Sequence, residues 1–426
     1  TAPHFAKRTS AFRYAGAEWR ASAGFVVRSV VLKGKGKEAE VEKSILAAGY
    51  IGASAINGKK GENEMQEARR QRLAHHLQQE NTDACILVPG PNLYYFTGLA
   101  LHQSERLSLA ILTKENQLLF LMPKLEVSKV EQVAHDALFS YTDEQGPGQA
   151  LAEVQKKLGT LGRVGIEYGH MRVKEWKAVE QLGAQEFVEI EQTVEALRVI
   201  KDEQEIETIR QAVRIVEDSF QAILPRVRAG VAELEVAAEL EYEMRKRGSE
   251  GTPFDTIVAS GYRGALPHGR ASDKLIQSGE LVVIDFGAIF HGYVADITRT
   301  VAVGELDAEL ANIYEVVRQA QQAAVEAVRP GVTAHEIDET ARAIIRDSGY
   351  GEYFTHRLGH GIGLCGHEEP YMIQNNPLVL APGMAFTIEP GIYLPNKGGV
   401  RIEDNVIVTE DGCLNLMNLP KELLSL

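Results

Sequence analysis

Five residues between positions 285 and 403 restrict this chain more than any other feature: Asp285, Asp296, His360, Glu389 and Glu403. Asp285 closes the apolar run Leu281-Val282-Val283-Ile284, and Asp296 stands in Ala295-Asp296-Ile297-Thr298-Arg299-Thr300. His360 is bracketed by Gly359 and Gly361, Glu389 follows Thr387-Ile388, and Glu403 follows Val400-Arg401-Ile402. A carboxylate buried alone at the end of a Val/Ile strand is heavily penalised. Four of them and one imidazole become tolerable if divalent metal supplies the compensating charge. Four negative charges neutralise two such ions, so the set reads as a two-metal site. Oxygen-rich ligation with one nitrogen admits Mn²⁺, Co²⁺ or Zn²⁺.

The rest of the composition sets bounds. A chain of 426 residues exceeds what one core usually organises, which predicts two domains. The net charge of −14 argues against nucleic acid as a partner. No apolar run reaches the roughly 20 residues that a membrane span needs, so no membrane partner is expected. Cys85, Cys365 and Cys413 are too few and too scattered for a disulfide framework. They fit a reducing compartment and predict a cytoplasmic protein.

The charge is uneven, because residues 1–60 hold 11 Lys/Arg against 4 Asp/Glu. Such an Arg- and Ser-rich, acid-poor leader has the composition of a transit peptide. The competing and preferred expectation is that residues 1–64 are disordered or not native to the protein, because Met65-Gln66-Glu67-Ala68 reads as a natural beginning.

From 65 to 196 the pattern is that of a small α/β domain. A helical start around Leu73 and Leu77 leads into the strand run Ala84 to Val88, stopped by Pro89-Gly90-Pro91. Leu109 to Leu112 and Leu118 to Leu121 read as a hairpin, and Val164 to Glu167 as a further strand. From 197 onward the pattern changes. Ile206, Ile209, Val213, Val216 and Phe220 recur at helical spacing, behind an acidic N-terminus at Asp202-Glu203. A second helix is predicted over 307–328, and another from Thr333, whose Glu336 three residues on has capping-box spacing. Each helical block precedes a strand pair: 281–303, turning at His291-Gly292, and 384–408, turning near Asn396 to Gly399. Each pair carries two of the acids, so the region reads as helices-then-hairpin occurring twice.

The order and wording of the five segments resemble the metallopeptidase family of methionine aminopeptidase, aminopeptidase P and prolidase, over residues 65–426 and most densely from 251 to 405. The resemblance implies an α+β architecture, a creatinase/prolidase-like α/β domain at 65–196 followed by a pita-bread catalytic domain at 197–426. It implies two divalent ions (manganese first, cobalt or zinc otherwise), with Asp285 on one, His360 and Glu389 on the other, and Asp296 and Glu403 bridging. Two ions about 3.5–4 Å apart can activate a shared water for attack on a peptide bond. The implied activity is release of the N-terminal residue from Xaa-Pro dipeptides, with aminopeptidase P-type cleavage of longer Xaa-Pro peptides as the alternative. A non-catalytic binding module on the same fold is the rival from another class, and such modules typically lack ligands that this chain keeps. A homodimer is expected on the same ground.

Five residues take catalytic roles by the same resemblance. Glu389 is the general base and acid, a role that favours a pKa raised toward neutrality. His367, in His367-Glu368-Glu369-Pro370, donates to the developing oxyanion, and His268 contacts substrate around the scissile bond. Arg401 orients a bridging carboxylate or binds the substrate carboxylate, and His356 is a further pocket histidine. One decoy is set aside. Gly361-Ile362-Gly363-Leu364-Cys365-Gly366 matches G-x-G-x-x-G, but that motif needs a helix N-terminus for the pyrophosphate, and Pro370 argues against one. No nucleotide cofactor is expected. The glycines are expected to let backbone pack closely beside the pocket.

Overall fold

The computed structural model describes residues 65–426, so the expectations for residues 1–64 lie outside the described residues. A helix over 65–79 buries Leu73 and Leu77 and leads into a six-stranded sheet. Its strands are β1 (Ala84–Leu87), β2 (Leu109–Thr113), β3 (Leu118–Pro123), β4 (Ala137–Tyr141), β5 (Arg163–Ile166) and β6 (Glu186–Glu189). They lie in the order β4-β3-β2-β1-β5-β6. The predicted hairpin is the antiparallel β2–β3 pair, and β5 joins β1 in parallel. Alternation along β1 sends Ala84 and Ile86 into one core and Cys85 and Leu87 into another. Both faces of the sheet are therefore covered. Helix Gly148–Leu158 closes one face, and helices 65–79 and Glu191–Val199 close the other.

Two helix pairs follow, each packed on its own set of strands. Helix Glu203–Ile223 opens with a reciprocal cap, the Asp202 carboxylate accepting from the Glu205 amide and the Glu205 carboxylate from the Asp202 amide. Together with helix Glu233–Lys246 it forms one core against β8 (Glu280–Phe290) and β9 (Tyr293–Val303), which extend β7 (Ile257–Ser260) into an antiparallel sheet. Helix Ala308–Ala327 and helix Ala334–Asp347 form the second core, the latter with the Thr333/Glu336 box that its spacing predicts. They cover the strands β10 (Gly359–Gly361), β11 (Glu368–Met372), β12 (Ala385–Ile388), β13 (Gly391–Leu394), β14 (Gly398–Arg401), β15 (Asp404–Val408) and β16 (Cys413–Asn415). The helices-plus-hairpin unit thus occurs twice.

The two hairpins differ in detail. β8 and β9 run as one unbroken ladder of 11 residue pairs across a two-residue turn, His291-Gly292, whose φ angles of 46° and 77° define a primed turn. The second pair is interrupted. β12 bonds to β15 and β13 to β14, yet the two ladders keep one register, so Glu389 falls opposite Glu403 in the gap between them.

A buried polar chain ties the first sheet to the second half. Val88 N–H and Asn92 Nδ2 each donate to Glu167 at 2.8 Å, Arg198 donates to Asn92 Oδ1 at 2.5 Å, and Arg198 also pairs with Glu368. Lys201 Nζ adds a contact to Glu368 at 2.6 Å. Burial pushes the Glu368 carboxyl up, but the buried Arg198 and Lys201 charges outweigh it and hold its pKa below the ordinary value. No helix among the described residues is long and apolar enough to cross a membrane.

Removing one member of a buried charge network leaves its partner uncompensated, at a cost of about 3–5 kcal/mol. Lys201 stays on Glu368 when Arg198 is removed, so Glu368→Met, which leaves two buried cations unpaired, should lower the unfolding free energy from urea titration by that order. A value equal to wild type would show that the network does not hold the two halves together.

Candidate active site

Antiparallel pairing decides where the acids point. Asp285 lies opposite Thr298 and Asp296 opposite Gly287, so both acids stand on one face of the β8–β9 ladder, two pairs apart. Glu389 and Glu403 face each other across the gap in the second ladder, and His360 is the central residue of β10 beside β12. Thr387 ties two of these together, since its hydroxyl accepts from His360 N–H at 3.1 Å and donates to Glu389 Oε1 at 3.2 Å. Thr298 Oγ1 donates to Glu403 at 2.7 Å, crossing from the first hairpin to the second. A cavity of about 590 Å³ is lined by all nine sequence-predicted residues: His268, Asp285, Asp296, His356, His360, His367, Glu389, Arg401 and Glu403. Phe254, Asp255, Ile257, Pro267, Arg270, Arg357 and Ile373 complete the wall.

The donor set fits a divalent ion. Asp296, His360 and Glu403 each offer a ligand atom within 4.8 Å of one another. His360 Nδ1 donates to the Gly361 carbonyl at 3.1 Å, which turns Nε2 toward the acids, 3.3 Å from Glu389 and 3.8 Å from Asp296. Oδ1 of Asp285, Oδ1 of Asp296 and Oε1 of Glu403 are buried without any hydrogen-bond partner. Orphaned carboxylate oxygens sharing one cavity with an imidazole are what a hard cation needs and what a purely structural cluster avoids.

Burial dominates the electrostatics. It drives the Asp296 and Glu403 carboxyls well above 3.8 and 4.5, and the neighbouring acids add to the push. Asp285 is raised too by burial, against the opposing charge of Arg401. Glu389 departs from expectation. Burial pushes it upward, but His360 alongside, with the His356 and Arg401 charges, outweighs that and brings it to about 2. The pKa near neutrality anticipated for a general base is thus absent when the protein groups act alone.

The accessory residues fall into two sets. His367 and His268 are exposed at the cavity, with the His367 ring centroid 4.0 Å from that of His360. Burial, the His360 charge and the Arg357 charge lower the His367 pKa to about 4. Arg401 and His356 are locked into a relay. Arg401 is paired with Asp285, donates to Tyr393 Oη at 2.8 Å, to Thr298 Oγ1 at 3.1 Å and to the Pro267 carbonyl at 3.2 Å. His356 Nδ1 donates to the Arg357 carbonyl at 2.7 Å, leaving Nε2 to accept from Tyr393 at 2.8 Å. Arg401 therefore orients Asp285, with no hydrogen bond to Glu403. Tyr393, Thr298 and Thr387 were not singled out from sequence. A period-two reading would have found Thr298, two residues after Asp296 on the same face. Nothing local marks Tyr393, whose role comes from strand pairing.

The glycine-rich segment leads into β11 and not into a helix of its own. A side chain at Gly361 would collide with the Glu369 carbonyl, which is the close backbone approach expected there.

Residues 207–410 match metallopeptidase family M24, and residues 69–200 match the creatinase/prolidase N-terminal domain. The chain belongs to this metallopeptidase family, with the creatinase-type domain joined to a pita-bread domain. A Xaa-Pro dipeptidase of Pyrococcus furiosus is 42% identical over 84% of this chain and 99% of its own length. A crystal structure of a dipeptidase from Pyrococcus horikoshii OT3 superposes with a TM-score of 0.79 at 40% identity, covering 84% of this chain and 100% of that one. An X-Pro aminopeptidase from Thermotoga maritima MSB8 is 38% identical with a TM-score of 0.73, covering 81% and 98%.

The raised acids set a pH dependence in protein stripped of divalent ions. The native state retains protons on Asp296 and Glu403 that the unfolded chain has lost above 3.8 and 4.5, so this contribution to stability falls as pH rises. A cation that binds the ionised acids should reverse the loss, and the rise in Tm on adding Mn²⁺ should grow with pH. A Tm indifferent to the ion at every pH would remove these acids as a metal site.

Proposed function

We propose that this chain hydrolyses the peptide bond preceding proline and releases the N-terminal residue of Xaa-Pro dipeptides. The observation that carries the reading is the trio of unpartnered buried carboxylate oxygens, on Asp285, Asp296 and Glu403, in the cavity that also holds His360, in a chain 42% identical to a Xaa-Pro dipeptidase. Asp285, Asp296, His360, Glu389 and Glu403 would hold two divalent ions, manganese first and cobalt or zinc otherwise. Bound there, the ions supply positive charge that acidifies water and polarises a carbonyl.

The chain's own groups do the rest. Glu389 takes the proton of the attacking water and returns it to the proline nitrogen. Its low pKa among the protein groups makes it an ionised acceptor from the outset. His367 stays neutral at working pH and donates from one ring nitrogen to the developing oxyanion. His268 holds substrate beside the scissile bond. Arg401 fixes the Asp285 carboxylate, and Tyr393 and His356 fix Arg401, so that the acids keep their geometry through turnover.

Cleavage of longer Xaa-Pro peptides is the second reading, favoured by the likeness to the Thermotoga aminopeptidase. A homodimeric, cytoplasmic enzyme belongs to the same proposal, supported by the family resemblance and by cysteine usage.

Metal analysis and turnover test it together. Purified protein should hold or be activated by a divalent ion, and should cleave Xaa-Pro far faster than Xaa-Ala. Equal rates on the two, or no dependence on metal, would contradict the assignment. Glu389→Gln should lower kcat by roughly 10²–10⁴-fold, the range for loss of a general base, with KM less affected. A variant turning over at wild-type rate would take Glu389 out of the chemistry.

A further inference from the structure

The segment that brings His268 to the cavity has little apolar packing of its own. Between Ser260 and Ser272 the buried residues are Gly261, Gly264 and Gly269, while Tyr262 and Leu266 are more than half exposed. The His268 ring is exposed and makes no hydrogen bond to the protein among the described residues, so its position is inherited from the backbone. A loop without large buried side chains is expected to be the mobile part of a fold. Here it is gathered instead onto one carboxylate that the proposed reaction does not use.

Glu233 is the first residue of helix Glu233–Lys246, and its side chain is fully buried. Oε1 accepts from Ser260 N–H at 2.7 Å and from Ser260 Oγ at 2.8 Å. Oε2 accepts from Ser272 N–H at 3.1 Å, from Ser272 Oγ at 2.7 Å and from Arg263 Nε at 2.9 Å. Both ends of the loop are thus drawn to one side chain, which acts as a clasp, and Arg263 supplies the charge that makes its burial tolerable. Arg263 also donates to the Arg270 carbonyl, two residues past His268, and Arg401 to the Pro267 carbonyl, one residue before it. The second half of the domain is held in a similar way. Asp338, buried on helix Ala334–Asp347, accepts from Leu358 N–H at 3.0 Å, and its partner Arg342 donates to the Phe354 and His356 carbonyls at 3.1 and 2.9 Å. We propose, resting on the Xaa-Pro reading, that Glu233 is a positioning residue: it sets the backbone from which His268 meets substrate, and it acts on the reaction through that ring.

The test uses the metal-loaded full chain with Xaa-Pro as substrate. Glu233→Gln keeps the shape but turns one acceptor oxygen into a donor facing other donors. It should lower kcat/KM by roughly ten- to a hundredfold, the scale of a small misplacement at a reacting centre. His268→Ala should lower it too, and the double variant should be no slower than His268→Ala, because one residue works through the other. Amide exchange in Glu233→Gln should quicken across 261–271 and keep the wild-type rate in β8 and β9. If Glu233→Gln does not fold, Ser272→Ala decides, since it removes a single hydroxyl from the clasp. It should cost roughly two- to tenfold in kcat/KM, again with no further loss in the His268→Ala background. Losses that add in the double variant, or exchange that quickens everywhere or nowhere, would overturn the positioning role while the Xaa-Pro assignment stands. His268→Ala turning over at the wild-type rate would overturn it as well. A wild type that leaves Xaa-Pro uncleaved would overturn the assignment and the role together.

Discussion

Burying anionic oxygens inside an apolar double hairpin is the constraint on which this structure turns. Asp285, Asp296 and Glu403 are buried on the wall of the cavity, and among the described residues one Arg or Lys pairs with them, Arg401 on Asp285. An unpaired buried charge is among the most costly things a fold can carry. A protein that only needed stability would place apolar groups there. The same geometry is rational if the acids exist to meet positive charge from outside, and the reversed pKa of Glu389 follows from the same crowding. Where three acids are pushed up by burial and one another, the one beside an imidazole becomes the anion.

The surrounding structure makes that arrangement rigid. Thr298 and Thr387 hold one oxygen each of Glu403 and Glu389, and the His356–Tyr393–Arg401 chain holds Asp285. Farther out, the Arg198–Glu368 pair anchors the strand that begins directly after His367 to helix Glu191–Val199, which covers the first sheet. The small N-terminal sheet contributes none of the cavity-lining residues, yet through Asn92 and Glu167 it supports the polar chain behind that strand.

Much of this was legible from residue order. The β8–β9 hairpin announced itself through alternating Val/Ile residues and a His-Gly turn, and the Thr333/Glu336 box marked a helix start because capping is local. The nine residues could be named before their shared cavity was seen because each sits in a short, distinctive context. What could not be read depends on pairing between distant segments. Arg198 meets Glu368 across 170 positions, and no periodicity connects them. Tyr393 gains its role only because its strand is paired with the one carrying Arg401. The commitment of Arg401 to Asp285, and not to Glu403 two residues along, follows from three-dimensional approach. The fall in the Glu389 pKa is a sum over neighbours that no local motif encodes.

The interrupted second hairpin has a consequence for how this region can vary. β12–β15 and β13–β14 are separate ladders in phase with each other, so the backbone on either side of Glu389 and Glu403 is counted residue for residue. One residue inserted on one arm only, between Ile388 and Gly391, would slip the phase and turn every later side chain of that arm to the opposite face. Length is therefore frozen along both arms and free only at the tip, between Leu394 and Gly398. Evolutionary tinkering or grafting can lengthen that tip without disturbing the acids behind it.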